Sequence, residues 1–133
     1  MGRSMLVTGA ARGLGASIAS HASKRGYRVA ALDLGAVSDR QEVDGITTYQ
    51  ASVTDEAAVK AVLDDFGIPD VVVNNAGIVR FGPLVGQSVD DFRAVIDVNL
   101  VGCFIVATAV ARRLIDEQRP GSIINITSMN GVA

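Results

Sequence analysis

The chain is poor in the residues and runs that would assign it to several large classes. It has a single cysteine, Cys103, so it cannot close a disulfide within itself. A lone thiol inside an apolar run reads as a buried structural residue and points to a reducing compartment, so a cytoplasmic setting is expected. The formal net charge is -2 over 133 residues. That balance lacks the basic field that binding to nucleic acid requires. The local pairs Lys24-Arg25 and Arg112-Arg113 fit helix ends or surface. No long apolar segment precedes the first glycine-rich turn, so no secretory signal is expected. Position 6 is Leu, which does not fit an N-myristoylation signal. The longest apolar run, Val98 to Ala111, falls short of the about 20 residues that cross a bilayer, and no membrane partner is expected. There is no linker, repeat or low-complexity tract, and no metal site is expected.

What is present is an ordinary globular composition, 49% hydrophobic and 20% charged. The length suits one domain over residues 1–133, able to bury roughly two thirds of its unfolded surface. Short β-type runs alternate with helical periodicity. Met5-Leu6-Val7 reads as a buried strand, and Leu14, Ile18, Ala19 and Ala22 mark one helix face that Lys24, Arg25 and Gly26 close. Tyr27 to Leu32 is a second strand and Ile46 to Tyr49 a weaker third. Thr54 is the expected cap of a helix whose Val59, Val62, Leu63 and Phe66 repeat at helical spacing up to Gly67. Asp70 to Asn74 is a fourth strand, unbroken and β-branched, as in a sheet covered on both faces. Ser88-Val89-Asp90-Asp91 predicts a capped helix near Phe92. A second helix from about Val98 to Glu117 is apolar nearly all round to Ala111, which predicts burial on more than one side. Ser122 to Thr127 is a fifth strand. This alternation implies parallel crossovers and an α/β fold with a doubly wound parallel sheet.

The turn after the first strand, Thr8 to Gly15, carries glycines at 9, 13 and 15. No P-loop pattern fits it. Gly9 allows a sharp exit from the strand, and Gly13 and Gly15 leave room for a pyrophosphate at a helix N-terminus. Asp33 ends the second strand, 20 residues beyond Gly13. A carboxylate there can accept hydrogen bonds from the adenosine ribose hydroxyls, and it would repel a 2′-phosphate. NAD is therefore favoured over NADP, although Arg12 in the same loop would attract a phosphate.

With these residues in view, the chain resembles the short-chain dehydrogenases/reductases. Thr8 to Gly15 is similar to that family's glycine-rich cofactor motif, and Asn74-Asn75-Ala76-Gly77 to its Asn-Asn-Ala-Gly motif. Asp97-Val98-Asn99 resembles the segment holding its active-site asparagine, and Asn125 to Ser128 the segment ending in its active-site serine. The resemblance covers nearly the whole chain but only the first half of the family pattern. It implies a Rossmann-type sheet that is truncated after the fifth strand. It implies that Gly9, Arg12, Gly13, Leu14 and Gly15 surround the pyrophosphate and adenosine and that Asp33 holds the ribose. Ser52 and Val53 would flank adenine, with Ser52 where the family often has Asp. Asn75, Ala76 and Gly77 would line the middle of the cofactor. Asn99 would position a water in a proton relay, and Ser128 would orient a carbonyl or hydroxyl of a small-molecule substrate. Taken singly, Asn75 also fits a residue satisfying strand-end backbone, Asn99 a helix-interior side chain, and Ser128 a turn former.

The family's general acid/base is a tyrosine followed four residues later by lysine. The tyrosines here are Tyr27 and Tyr49, followed at that spacing by Ala31 and Val53. Neither can lower a phenol's pKa by a neighbouring cation. The expected function is an NAD-dependent oxidoreductase present as its N-terminal half, inactive in these 133 residues. The alternatives are a non-catalytic NAD(H)-binding module and an inactive gene remnant. A bare apolar edge at Ile123 to Ile126 further predicts a homo-oligomer.

Overall fold

A computed structural model describes residues 2–35 and 42–128. The chain runs β1 (Ser4–Thr8), α1 (Gly13–Lys24), β2 (Arg28–Asp33), β3 (Glu42–Val43), β4 (Ile46–Gln50), α2 (Glu56–Phe66) and β5 (Val71–Asn74). A short 3-10 turn (Leu84–Gly86), α3 (Val89–Ile96), a π turn (Asp97–Val101), α4 (Gly102–Asp116) and β6 (Ser122–Asn125) follow. The strands form one sheet in the order β3-β4-β2-β1-β5-β6. Every pairing is parallel except the short β3–β4 pair. The expected doubly wound α/β sheet is thus observed, with helices on both faces.

The period-2 alternation of the strands sorts their side chains to the two faces. On one face Leu6, Ala30, Leu32 and Val72 meet Val59, Val62, Leu63 and Phe66 of α2 and Val106, Val110 and Leu114 of α4. On the other, Val7, Val29, Ala31 and Val73 meet Ala19 and Ala22 of α1. Each fully buried Val, Leu or Phe contributes about 1.5–3 kcal/mol, so the α2/α4 face carries most of the burial energy. Arg28 stacks its guanidinium 4.0 Å from the centre of the Phe66 ring and donates to the Phe66 carbonyl, pinning the end of α2 to β2.

Four local readings change. Asp55, rather than Thr54, caps α2, because its carboxylate accepts from the Ala58 N–H. The strand β3 is an addition: Asp44 and Gly45, both at positive φ, make a two-residue hairpin turn that folds Glu42–Val43 back onto β4. The two helices expected after Gly77 are one continuous helix, 89–116, with the π turn inside it. Only one stripe of its α4 part is buried, namely Gly102, Val106, Val110 and Leu114, while Phe104 is 65% exposed. Burial on several sides does not occur, because a helix lying on a sheet offers the sheet only one stripe.

The same helix is 28 residues long, and an 18-residue window within it has mean hydropathy 2.1. By length and composition alone it could cross a membrane, a point that the run Val98 to Ala111 understates. It docks on the sheet through Val106, Val110 and Leu114, with 17% of that window buried.

Candidate cofactor site

A cleft of about 820 Å³ opens along the C-terminal ends of the parallel strands, within the usual range for small-molecule sites. The loop after β1, the end of β2, the end of β4 and the segment after β5 all contribute to it. Nine of the residues expected to bind cofactor line it: Gly9, Arg12, Gly13, Asp33, Ser52, Val53, Asn75, Ala76 and Gly77. Leu14, Gly15, Asn99 and Ser128 do not.

The glycines of the turn do different jobs. A Cβ on Gly9 (φ +65°) would lie 2.8 Å from the Ala76 Cα, so this residue lets the β1 and β5 loops touch. Gly13 (φ +58°) opens α1, and a Cβ there would meet nothing within 4 Å. Its free space lies beside helix N–H groups that no side chain caps, an arrangement that suits an anion. A Cβ on Gly15 would sit 2.1 Å from the Gly9 carbonyl oxygen and 2.6 Å from the Asn75 amide nitrogen. Gly15 therefore allows α1 to pack under the loop, and Leu14 beside it points to solvent.

Thr8 and Asn75 lock this loop. The Thr8 hydroxyl accepts from the N–H groups of Asn75 and Ala76, each at 3.0 Å. The Asn75 amide donates to the Thr8 and Gly9 carbonyls at 3.1 Å. Asn75 thus satisfies backbone at the strand ends and lines the cleft as well. Thr8 itself was not among the expected site residues, although it heads the glycine-rich motif.

Asp33 is held by two backbone donors, the Ala11 N–H at 2.9 Å and the Gly35 N–H at 3.0 Å. A carboxylate has about four lone-pair sites, so two remain for ligand hydroxyls. The bond from Ala11 also ties the glycine-rich loop to the end of β2.

The catalytic candidates sit at the other end. The Asn99 side chain clasps Ile78, accepting from its N–H at 2.8 Å and donating to its carbonyl at 2.9 Å. It lies in the π turn, a feature often found at functional sites. The Cys103 thiol donates to the Asn99 carbonyl at 3.2 Å, and burial pushes its pKa up, away from reactive thiolate. Ser128 is exposed just beyond β6. Below it the buried Asn74 donates to Asn125 at 2.9 Å, joining β5 to β6. Neither tyrosine lines the cleft, and Tyr49 donates to Asp65 at 2.7 Å.

Residues 3–133 match the family model described as short chain dehydrogenase. The chain belongs to that family. It is 37% identical over 141 residues to D-threitol dehydrogenase of Mycolicibacterium smegmatis, covering 96% of this chain and 53% of that protein. It is 38% identical over 143 residues to 3-oxoacyl-(acyl-carrier-protein) reductase of Staphylococcus aureus, covering 98% and 58%. A solved short chain dehydrogenase of Leptospira borgpetersenii with bound NAD+ superposes with TM-score 0.91 at 27% identity, over 100% of this chain and 54% of that one. A 4-hydroxyisoleucine dehydrogenase complexed with NADH superposes with TM-score 0.87 at 30% identity, over 98% and 58%. The chain corresponds to the N-terminal portion of these proteins and spans just over half their length.

Proposed function

We propose that these residues are the cofactor-binding half of an NAD-dependent oxidoreductase that moves a hydride between nicotinamide and a carbonyl or secondary alcohol. The observation that carries the reading is the Asp33 carboxylate, held at the cleft by the Ala11 and Gly35 N–H groups. Its remaining lone pairs suit the two ribose hydroxyls, and its charge disfavours a 2′-phosphate, so NAD is proposed over NADP. The cradle over Gly13 fits the pyrophosphate, and the wall of Asn75, Ala76 and Gly77 fits the middle of the dinucleotide. When bound, the nicotinamide supplies or accepts the hydride. Asn99, whose clasp on Ile78 leaves Oδ1 one further lone pair, is proposed to hold a water. Ser128 is proposed to orient the substrate oxygen. The proposed setting is cytoplasmic, with assembly into a homo-oligomer.

No phenol stands beside these groups among the described cleft residues, so binding without turnover is expected of the 133 residues by themselves. Loss of a general acid costs about 10²–10⁴ in rate. Fluorescence titration tests the binding reading. NADH is expected to bind at least about tenfold more tightly than NADPH, and Asp33→Ala to cost about tenfold or more in NADH affinity, as for hydrogen bonds to a charged group. Equal affinity for NADPH would overturn the choice of NAD, and no binding of either would overturn the cofactor reading. Measurable NADH oxidation with a ketone would overturn the expected lack of turnover.

A further inference from the structure

The strand order β4-β2-β1 lays out the cleft in sequence. The pyrophosphate cradle follows β1, the ribose carboxylate ends β2, and the next wall outward is the end of β4, formed by Ala51, Ser52 and Val53. On the cofactor reading, a purine carried by the ribose would meet this wall. Ala51 and Val53 are buried and apolar, and the half-buried Ser52 supplies the wall's side-chain polar group.

Purines differ in what they offer such a group. Adenine has a 6-amino group, which donates, and hypoxanthine has a 6-oxo group, which accepts. A carboxylate on this wall would accept from the first and repel the second. A hydroxyl carries one donor and two acceptor sites, so it can serve either. The surroundings of Ser52 let it change roles. Its Oγ lies 2.7 Å from the Thr54 Oγ1, and either oxygen can be the donor. When Thr54 donates, the Ser52 proton is available to an oxo group. When Ser52 donates, its acceptor capacity is available to an amino group. The Thr54 N–H to Ser52 Oγ bond (3.2 Å) and the Asp55 N–H to Ser52 carbonyl bond (3.1 Å) hold the turn in both arrangements.

We infer that the Ser52–Thr54 hydroxyl pair makes the base end of the cleft tolerant of both 6-amino and 6-oxo purine dinucleotides. The inference rests on the cofactor reading proposed above. The test is fluorescence titration of the 133-residue chain with NADH and with reduced nicotinamide hypoxanthine dinucleotide. The two dissociation constants are expected to agree within about fivefold, less than a lost hydrogen bond to a charged partner would produce. A wider preference for NADH overturns the inference. Ser52→Asp is expected to open the gap to about tenfold or more in favour of NADH, and an unchanged ratio overturns it. If that variant fails to fold, Ser52→Ala decides. It is expected to weaken both ligands alike, and a ratio that moves overturns the inference. Binding of NADH without the hypoxanthine dinucleotide defeats this inference alone. Binding of neither defeats the cofactor reading with it.

Discussion

Residues up to Gly77 and residues after it spend their apolar side chains differently. In the first stretch Leu6, Leu32, Val59, Leu63 and Phe66 are buried, and the polar groups at the strand ends are joined to one another. In the second, Val106, Val110 and Leu114 are buried, while Phe81 is 90% exposed and Leu84, Phe92, Leu100 and Phe104 also face outward. The composition of the two stretches does not announce the difference. The first builds a rigid frame behind the cleft, and the second presents apolar surface of the kind that marks contact with other chain segments.

The largest effect expected from breaking this contrast is in the frame. Leu63→Ala removes a buried side chain between α2 and the sheet and should cost about 2–5 kcal/mol, read by urea denaturation. Leu100→Ala, on the exposed side of the second stretch, should stay within about 0.5 kcal/mol. Equal losses at both positions would show that the second stretch is as tightly held as the first.

The next effect sharpens the contrast within the frame. Gly15→Ala drives a methyl into the Gly9 carbonyl, which is backbone and cannot swing aside. Overpacking of this kind costs about 1–3 kcal/mol, and displacing the loop should weaken NADH binding by about tenfold or more. Gly13→Ala meets no protein neighbour, so its cost in stability should be the left-handed strain of about 1–2 kcal/mol. Unchanged NADH affinity in Gly15→Ala would mean that the loop's position does not govern the cradle.

How much of this was legible in the residues follows the same division. Strand and helix order and the positions of the glycine-rich turn and Asp33 could be read because their signals are local: a period of two or 3.6, a turn glycine, a strand-end acid; the Asn75 segment was picked out by its resemblance to the family motif. The β3 hairpin was also written locally, in Asp44-Gly45, but its strands are too short to register as alternation. The role of Gly15 was not legible. Spacing alone cannot say whether a missing Cβ makes room for a ligand or for the protein's own Gly9 carbonyl. Nor was the exposure of Phe104, since an all-round apolar helix reads as buried until its partners are known.

The smallest effect on stability, and the most telling for the second stretch, is expected at β6. Ile123 and Ile124 are 41% and 46% exposed on a strand that pairs with β5 on one side and ends the sheet among the described residues. An open, apolar strand edge is a template for another chain, and a lysine placed there is a common natural block to such pairing. Ile124→Lys keeps the backbone bonds to β5 and places its charge in solvent, so the melting midpoint should shift by the equivalent of about 0.5 kcal/mol or less. Light scattering should instead show the assembled mass of the parent chain falling toward that of one chain. If the parent assembles and the variant assembles equally, the β6 edge is not the contact, and the exposed row of Phe92, Leu100 and Phe104 becomes the surface to substitute next.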